Sequence, residues 1–582
     1  MKLTFPLGRD KENVMNANQI DHLQELNEHG IEAVFVSSQS ILYHLENSYF
    51  KVIKRYDELL IYETPEKTKE LIPSEKIALF GNSDLQTLKR LCGYSKIKWL
   101  LISISSLSEL PSEIIQLETL SHIQIVCDQP LHFPDEITHL SSLTHLLIFN
   151  TPFIYFPPEA FQIPNLTYLY VSNNQIEHFP TEILKLTKLT ELTISNNNLS
   201  ALPTDVKHLT NLTTLNLFNN QFSHFPSEIT EIPNLKKLDI SNNLISNLPD
   251  EIDQLTVLTE LDLSENRLTR LPVKLESLSN LTKLDVSGNQ FNHVPSEITK
   301  LSNLTKLLLS KNQISILPVE IGQLVNLTEL YLSENLLSSL PATTEQLTKI
   351  TSLYLTDNQF TSFPKEITKL TNLSKLSLMK NQLNNLPIEI GQLINLKELY
   401  LYENLFKAVP QAITNIVGLT KLNIAKNMLT TLPTEISHLT NLTELYLGEN
   451  QIKKIPKEII SQLVNLKTLD LSYNRLSTIP SEINKLTNLS TLLIAGNKVT
   501  ALPDEITNLT SLTNLSVSGN MLPALPAEIG KLKNLVILDV SQNRLTNIPK
   551  GISQLTELAK FNLANNEIST IPQEIAELIN LM

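Results

Sequence analysis

Residues 258–280 read LTELDLSENRLTRLPVKLESLSN. Leu258, Leu261 and Leu263 fall at positions one, four and six, with polar residues between four and six and just after. That alternation is the period-two mark of a strand buried on one face. Asn266 comes at position nine, where the chain must turn. Its amide both donates and accepts, so stacked asparagines can bond the turn backbone of their own and neighbouring units. Leu268 and Leu271 return to the core, and Pro272 removes a donor and fixes φ, which suits an exposed outer turn. In most units a P-x-E-I-x-x-L run follows, as from Pro295 to Leu301, with Ile298 and Leu301 three apart. That spacing fits a short helical or 3-10 turn with one apolar face.

The frame repeats. Units start at 97, 120, 143, 166 and onward in steps of 23 to 442; the unit that begins at 442 has 24 residues, and the next start at 466, 489, 512, 535 and 558. Of these 21 units, 18 carry asparagine at position nine, from Asn174 to Asn566. No unit can bury its own leucines, so stability must come from stacking each unit on its neighbours. Every unit runs the same way, which makes the sheet parallel. At about 4.7 Å between strands the inner arc is roughly 100 Å long.

This frame resembles the leucine-rich repeat family. Its L-P-x-E-I-x-x-L-x-x-L half is similar to the 23-residue subclass of Ras-signalling scaffolds, plant intracellular proteins and many bacterial proteins. The resemblance spans about five-sixths of the chain, from Ile97 onward. It implies an α/β repeat solenoid: a curved horseshoe with a concave parallel β-sheet and short helical or 3-10 segments on the convex side. It names no partner, because one fold hosts many unrelated functions.

Residues 1–96 differ in texture. Ile20, Leu23 and Leu26 fit a helix over 18–30 that ends at Gly30; 31–36 fits a strand, and 37–47 a second helix. Phe50–Ile53 and Leu59–Tyr62 read as two strands. The division expected is a small α/β domain or cap over 1–73, a degenerate capping repeat over 74–96 (Ile77, Leu79 and Asn82 keep register), and the solenoid over 97–582. The last unit has no special cap, so its end frays, pairs with another chain or is simply where the gene ends.

Composition excludes several classes. The net charge is −14 and no basic run stands out, which argues against nucleic acid or an anionic membrane surface. No stretch approaches 18 consecutive apolar residues, so no membrane span is expected. The first residues lack the apolar core of a secretory signal, and Cys92 and Cys127 are the two cysteines. Extracellular members of the resembled family usually close their ends with paired cysteines. A cytoplasmic chain is therefore expected, the alternative being secretion without a cleaved signal. Asn-Leu-Thr at Asn211, Asn280, Asn303, Asn326 and Asn441 has the form of a glycosylation acceptor but marks the junction between units.

Catalytic motifs are missing: no phosphate-binding loop, no nucleophile elbow, no H-E-x-x-H, no C-x-x-C. With 13 glycines in 582 residues, phosphate-cradling loops are not expected. No enzyme activity, cofactor or metal is expected. His122 and His145, at position three of adjacent units, read as ordinary surface histidines. Asp239, Asp262 and Asp285 at position five read as a solvated charge ladder, screened by Lys237, Lys283 and Lys306.

Specificity should lie where positions three, five, seven and eight project, since variation there leaves the core intact. The main candidate partner-binding group is Tyr331, Tyr354, Tyr400, Tyr402 and Tyr446, with Tyr473 at its edge and Glu329, Lys375, Glu398, Lys421 and Glu444 around it; Lys380, Glu403 and Lys426 lie nearby. Tyrosines rimmed by mixed charge match the composition of protein interfaces. A secondary patch is Phe149, Tyr168, Tyr170 and Phe218. Thr343-Thr344 replaces the usual Glu-Ile, and the extra residue within 459–462 predicts a local bulge on the convex side. The function expected is a protein–protein interaction scaffold or adaptor binding a protein partner on the concave face. Two alternatives stand beside it: a bacterial effector acting on host signalling through the same surface, or an N-terminal regulatory or catalytic domain with repeats that recruit substrate.

Overall fold

The structure, a computed structural model, describes residues 51–56, 59–63, 76–80, 88–89, 92, 97–103 and 107–581. The helices expected over 18–30 and 37–47 and the strand over 31–36 lie outside the described residues. The chain divides into two compact units, 1–198 and 199–582.

In the first unit, strands β1 (Lys51–Tyr56) and β2 (Leu59–Glu63) pair antiparallel, where the sequence places two strands. A parallel sheet follows: β3 (Lys76–Phe80), β4 (Trp99–Ser103), β5 (His122–Val126), β6 (His145–Phe149), β7 (Tyr168–Ser172) and β8 (Glu191–Thr193). Register advances by one unit at each step, from Lys76 opposite Trp99 to Tyr168 opposite Glu191. β4 to β7 run five residues because β-branched and aromatic side chains such as Ile125-Val126 and Ile148-Phe149 favour extension through position seven.

The second unit holds one parallel sheet, β9 (Thr214–Asn216) to β24 (Lys560–Asn562), each strand beside the next in sequence. Its strands are three residues long with leucine in the middle, as in Glu260–Asp262, except that Phe561 takes that place in β24. The central leucine points into the core and its flanks point out: Leu261 is 1% exposed while Glu260 and Asp262 are half-buried. Leu258, Leu263, Leu268, Leu275 and Leu278 are buried with it. Burial of each such side chain is worth about 1.5–3 kcal/mol before entropy is counted.

The return segments are, with one exception, single 3-10 turns, most of them opened directly by proline. Pro318 lends the carbonyl it retains: Ile321 N donates to it at 3.1 Å, and Leu324 N donates to Ile321 O at 3.1 Å. The 24-residue unit resolves differently from a plain bulge. Its extra residue converts the 3-10 turn into one α-helical turn, α1 (Lys457–Gln462), with Leu463 N donating to Ile459 O and both Ile459 and Ile460 buried. Leu445 still faces Leu469 across the sheet, so pairing absorbs nothing.

Position nine ties units together. Asn335 Nδ2 donates to Leu309 O at 2.9 Å in the preceding unit, and to Leu332 O and Ser333 O in its own; its Oδ1 accepts from Ile314 N at 3.0 Å. The same four bonds recur at Asn266, Asn312, Asn358 and Asn404, among others. Position eight, just before it, is left-handed at φ between +50° and +65°. Asparagine and glycine tolerate that region, but charged residues such as Glu265, Lys311 and Lys426 and the bulky Tyr473, at φ +53°, are held in it too.

Candidate functional site

The outward face of the second unit's sheet presents positions three and five. Register puts Lys306, Glu329, Ser352, Lys375, Glu398, Lys421 and Glu444 in one column, and Leu308, Tyr331, Tyr354, Ser377, Tyr400, Asn423 and Tyr446 in the next. The two columns interlock. Lys306 bridges Glu329 at 3.3 Å, Lys375 bridges Glu398 at 3.1 Å, and Lys421 bridges Glu444 at 2.7 Å. Each glutamate also accepts its own strand's tyrosine hydroxyl: Tyr331 to Glu329 at 2.7 Å, Tyr400 to Glu398 at 2.6 Å, Tyr446 to Glu444 at 2.8 Å.

The lysines serve twice. Lys375 Nζ lies 5.8 Å from the Tyr354 ring centre and 5.7 Å from that of Tyr400; Lys421 Nζ lies 5.6 Å from Tyr400 and 5.5 Å from Tyr446. One ammonium is thus shared between two rings. Tyr331 and Tyr354 stack at 4.4 Å and 11°. Burial, and then the glutamate each hydroxyl feeds, hold Tyr331, Tyr400 and Tyr446 well above the ordinary phenol range. Burial works against the Lys375 charge, but Glu398 and Tyr354 outweigh it and raise its pKa. For Glu398 burial is likewise outweighed, here by the Tyr400 hydroxyl and Lys375, and the carboxyl sits below its ordinary range. Such a network leaves these side chains few loose rotamers.

Not all the residues expected at this site join it in the same way. Tyr331, Tyr354, Tyr400 and Tyr446 share a column, with Glu329, Lys375, Glu398, Lys421 and Glu444 as their direct partners. Tyr402 stands aside at position seven beneath Lys426, 5.6 Å away, which also bridges Glu403 at 2.8 Å. Tyr473 is 65% exposed at position eight and lies against Gly496, where an added Cβ would meet its ring at 2.5 Å. Lys380 bridges Asp357 at 3.8 Å. The sequence reading missed Lys306 as a member of the group: it is 5.4 Å from the Tyr331 ring and belongs to Glu329, not to the aspartates. The signal was there, since Lys306 precedes Glu329 by one 23-residue step.

Two expectations are corrected. Phe149 is 2% and Tyr170 5% exposed, packed with Leu147, Val126 and Tyr168 in a buried cluster, so they offer a partner no surface. Phe218 lies in the other compact unit and is half-buried. The aspartate column is not a solvated ladder either. Asp239, Asp262 and Asp285 do stand in register, but Asp285 is 4% exposed and Lys237 is bridged to Glu260 at 3.0 Å. Asp262 Oδ1 accepts from Ser264 N and Oγ at 2.9 and 2.6 Å, which only partly offsets its surroundings. Burial first, and then Asp285 and Asp239, push Asp262 well above the carboxylate range; burial raises Asp285 too.

A raised folded pKa means that the folded chain binds the proton more tightly than the unfolded chain does. The stability this contributes is present at low pH and is lost as pH rises through the folded value. Asp262→Asn is therefore expected to raise Tm at pH 7 by about 1–2 °C, with the gain shrinking toward pH 4. Melting curves at several pH values check this; a gain that grows on acidification contradicts the assignment.

His122 and His145 are half-buried and stack at 4.0 Å between Trp99 and Tyr168, their Nδ1 atoms bonded to Ser121 and Thr144 hydroxyls. Among the described residues no group of three or more His, Cys, Asp or Glu could hold a metal, and no helix is long and apolar enough to cross a membrane.

Against known proteins, the Leucine rich repeat sequence pattern matches residues 164–222, 233–291, 279–337, 302–360, 394–452 and 440–499, and a second Leucine Rich Repeat pattern matches 534–555. No curated protein matches the chain. Among solved structures, a plant peptide hormone receptor, RGFR1 in complex with RGF2, is 26% identical; the match covers 92% of this chain and 93% of that one, with a TM-score of 0.58. The PEPR1–AtPEP1 structure is 25% identical over 87% of this chain and 80% of that chain, with a TM-score of 0.53. The Arabidopsis receptor kinase HAESA ectodomain, in complex with an N-terminally extended IDA peptide hormone, is 30% identical over 77% and 83%, with a TM-score of 0.50.

Proposed function

Because this chain belongs to the leucine-rich repeat family, we propose that it is an interaction protein whose outward sheet face, from Lys306 to Tyr446, docks a peptide or protein partner. The observation that carries this reading is the column of tyrosines fixed in place by Glu–Lys pairs. Aromatic anchors already held in one geometry lose little freedom on binding, and Tyr331, Tyr354, Tyr400 and Tyr446 are each only half-buried. Two of the similar structures are a plant peptide hormone receptor in complex with RGF2 and a receptor kinase ectodomain in complex with a peptide hormone, which supports a peptide or protein as the occupant. Within this reading the chain is a cytoplasmic, non-enzymatic scaffold or adaptor. Residues 74–96 serve as a degenerate first repeat, supported by β3 pairing with β4 at the regular step.

The test is replacement of Tyr331, Tyr354, Tyr400 and Tyr446 by alanine, measured against a partner isolated from native lysate. Two or more lost anchors should weaken binding at least about 100-fold. The core leucines beneath stay in place, so the melting transition should persist. Unchanged affinity removes this site from consideration.

A further inference from the structure

Position eight, on the turn after each strand, forms a third column whose acids pair with the next unit onward. Asp357 is bridged by Lys380 at 3.8 Å, and Glu403 by Lys426 at 2.8 Å. Glu449 continues the series, but Tyr473 stands where its lysine would be. Lys426, in the unit before, is committed to Glu403. Glu449 is exposed, and among the described residues no cation bridges it.

A second carboxylate lies close by. Asp470 stands opposite Tyr446, and its Oδ1 accepts from Ser472 N at 2.9 Å. Its Oδ2 leans over Gly448, the residue before Glu449: a Cβ added there would meet that oxygen at 3.0 Å. Lys421, the nearest lysine of the inner column, is spent on Glu444 at 2.7 Å. Asp470 therefore also lacks an ion pair among the described residues, and Arg475, the next charge along the chain, bridges neither acid.

Tyr473 completes the group. Because Gly496 has no Cβ, the ring lies against it, with ring carbons 2.5 and 2.8 Å from where a Cβ would be. The side chain is still 65% exposed, so the side turned away from Gly496 is open. Lysines already stand over Tyr354, Tyr400 and Tyr446, whereas among the described residues no cation stands over Tyr473. An open ring beside two carboxylates without counter-charges favours a cation from outside. A guanidinium suits it better than an ammonium, since its plane stacks on a ring while its N–H fork reaches carboxylates.

We propose that a partner lying along the tyrosine column places an arginine here, stacked on the open side of Tyr473 with its N–H groups turned to Glu449 and Asp470. The proposal rests on the docking reading above and specifies the charge of the partner at this end of the face.

The experiment uses the full chain and two fluorescein-labelled peptides in which glycine and serine separate four arginines or, in the second, four lysines, compared by anisotropy at one salt concentration. Equal charge cancels the general attraction to an acidic protein. The arginine peptide should bind at least about fivefold more tightly. Tyr473→Ala and Glu449→Gln should each reduce that preference to within about twofold, while Tyr473→Phe, which keeps the ring, should retain it. Glu458→Gln removes an exposed carboxylate from the outer arm, on α1, and should leave the preference intact. Equal affinities, no binding by either peptide, a preference that survives Tyr473→Ala or Glu449→Gln, or one lost equally in Tyr473→Phe or Glu458→Gln would each overturn the proposal. A natural partner weakened by the four-tyrosine variant but indifferent to Tyr473→Ala removes the arginine seat and leaves the docking face. Indifference to the four-tyrosine variant removes the docking reading itself.

Discussion

Phe291→Ala is expected to lower the unfolding free energy by about 3–5 kcal/mol. Phe291 is fully buried at position eleven, as are Phe222, Phe360 and Phe406 in their units. Its backbone N–H is already committed to Asn312 Oδ1 at 3.0 Å, so the loop on which it sits cannot move inward freely to fill the void. The loss is therefore transfer free energy plus most of a cavity. Phe291→Leu should recover much of it, because other units carry leucine or isoleucine at this position, such as Leu268 and Ile314, both fully buried. Chemical denaturation followed by circular dichroism measures both variants. A cost below about 1 kcal/mol for the alanine variant would mean that the neighbouring units can collapse onto the site.

Asn335→Ala should cost nearly as much, about 2–4 kcal/mol, for a different reason. No large volume is lost, but Ile314 N is left buried without an acceptor, and the carbonyls of Leu309, Leu332 and Ser333 each lose a donor. A stranded buried amide costs about 1–3 kcal/mol by itself. Because those bonds join one unit to the unit before it, the damage falls on a single interface in the middle of the stack. Stability in such arrays sums over neighbour interfaces, so the unfolding transition should broaden or split as well as shift. An Asn335→Ala melt that remains as sharp as that of the parent chain contradicts a nearest-neighbour role for this side chain.

How much of this was legible beforehand depended on whether one unit decides the matter alone. Leu261, Asn266 and Pro272 could be assigned from a single repeat, since each performs the same task in every unit whatever its neighbours carry. The tyrosine column could be assembled by adding 23, because register converts sequence spacing directly into adjacency. What could not be read was how Lys375 divides itself between Tyr354 and Tyr400, since that depends on rotamers chosen jointly across three strands. Burial on the outward face was equally hidden. Phe149 and Tyr331 sit at templated surface positions of their strands, and nothing in either local sequence tells that the first is covered while the second is half-open. The aspartates failed for a related reason: Lys237 was available in sequence but is engaged by Glu260, a choice of acid set by the folded geometry of neighbouring strands.

The single turn of α-helix at Lys457–Gln462 has an evolutionary corollary. An added residue is swallowed by the outer arm of the coil, while strand pairing and asparagine bonds on either side keep their phase. Gene-level slippage that lengthens a unit there need not misalign anything downstream. Copying, deletion and drift in unit length can thus reshape how long this protein is, and which side chains line its face, without each event having to be rescued by a second one.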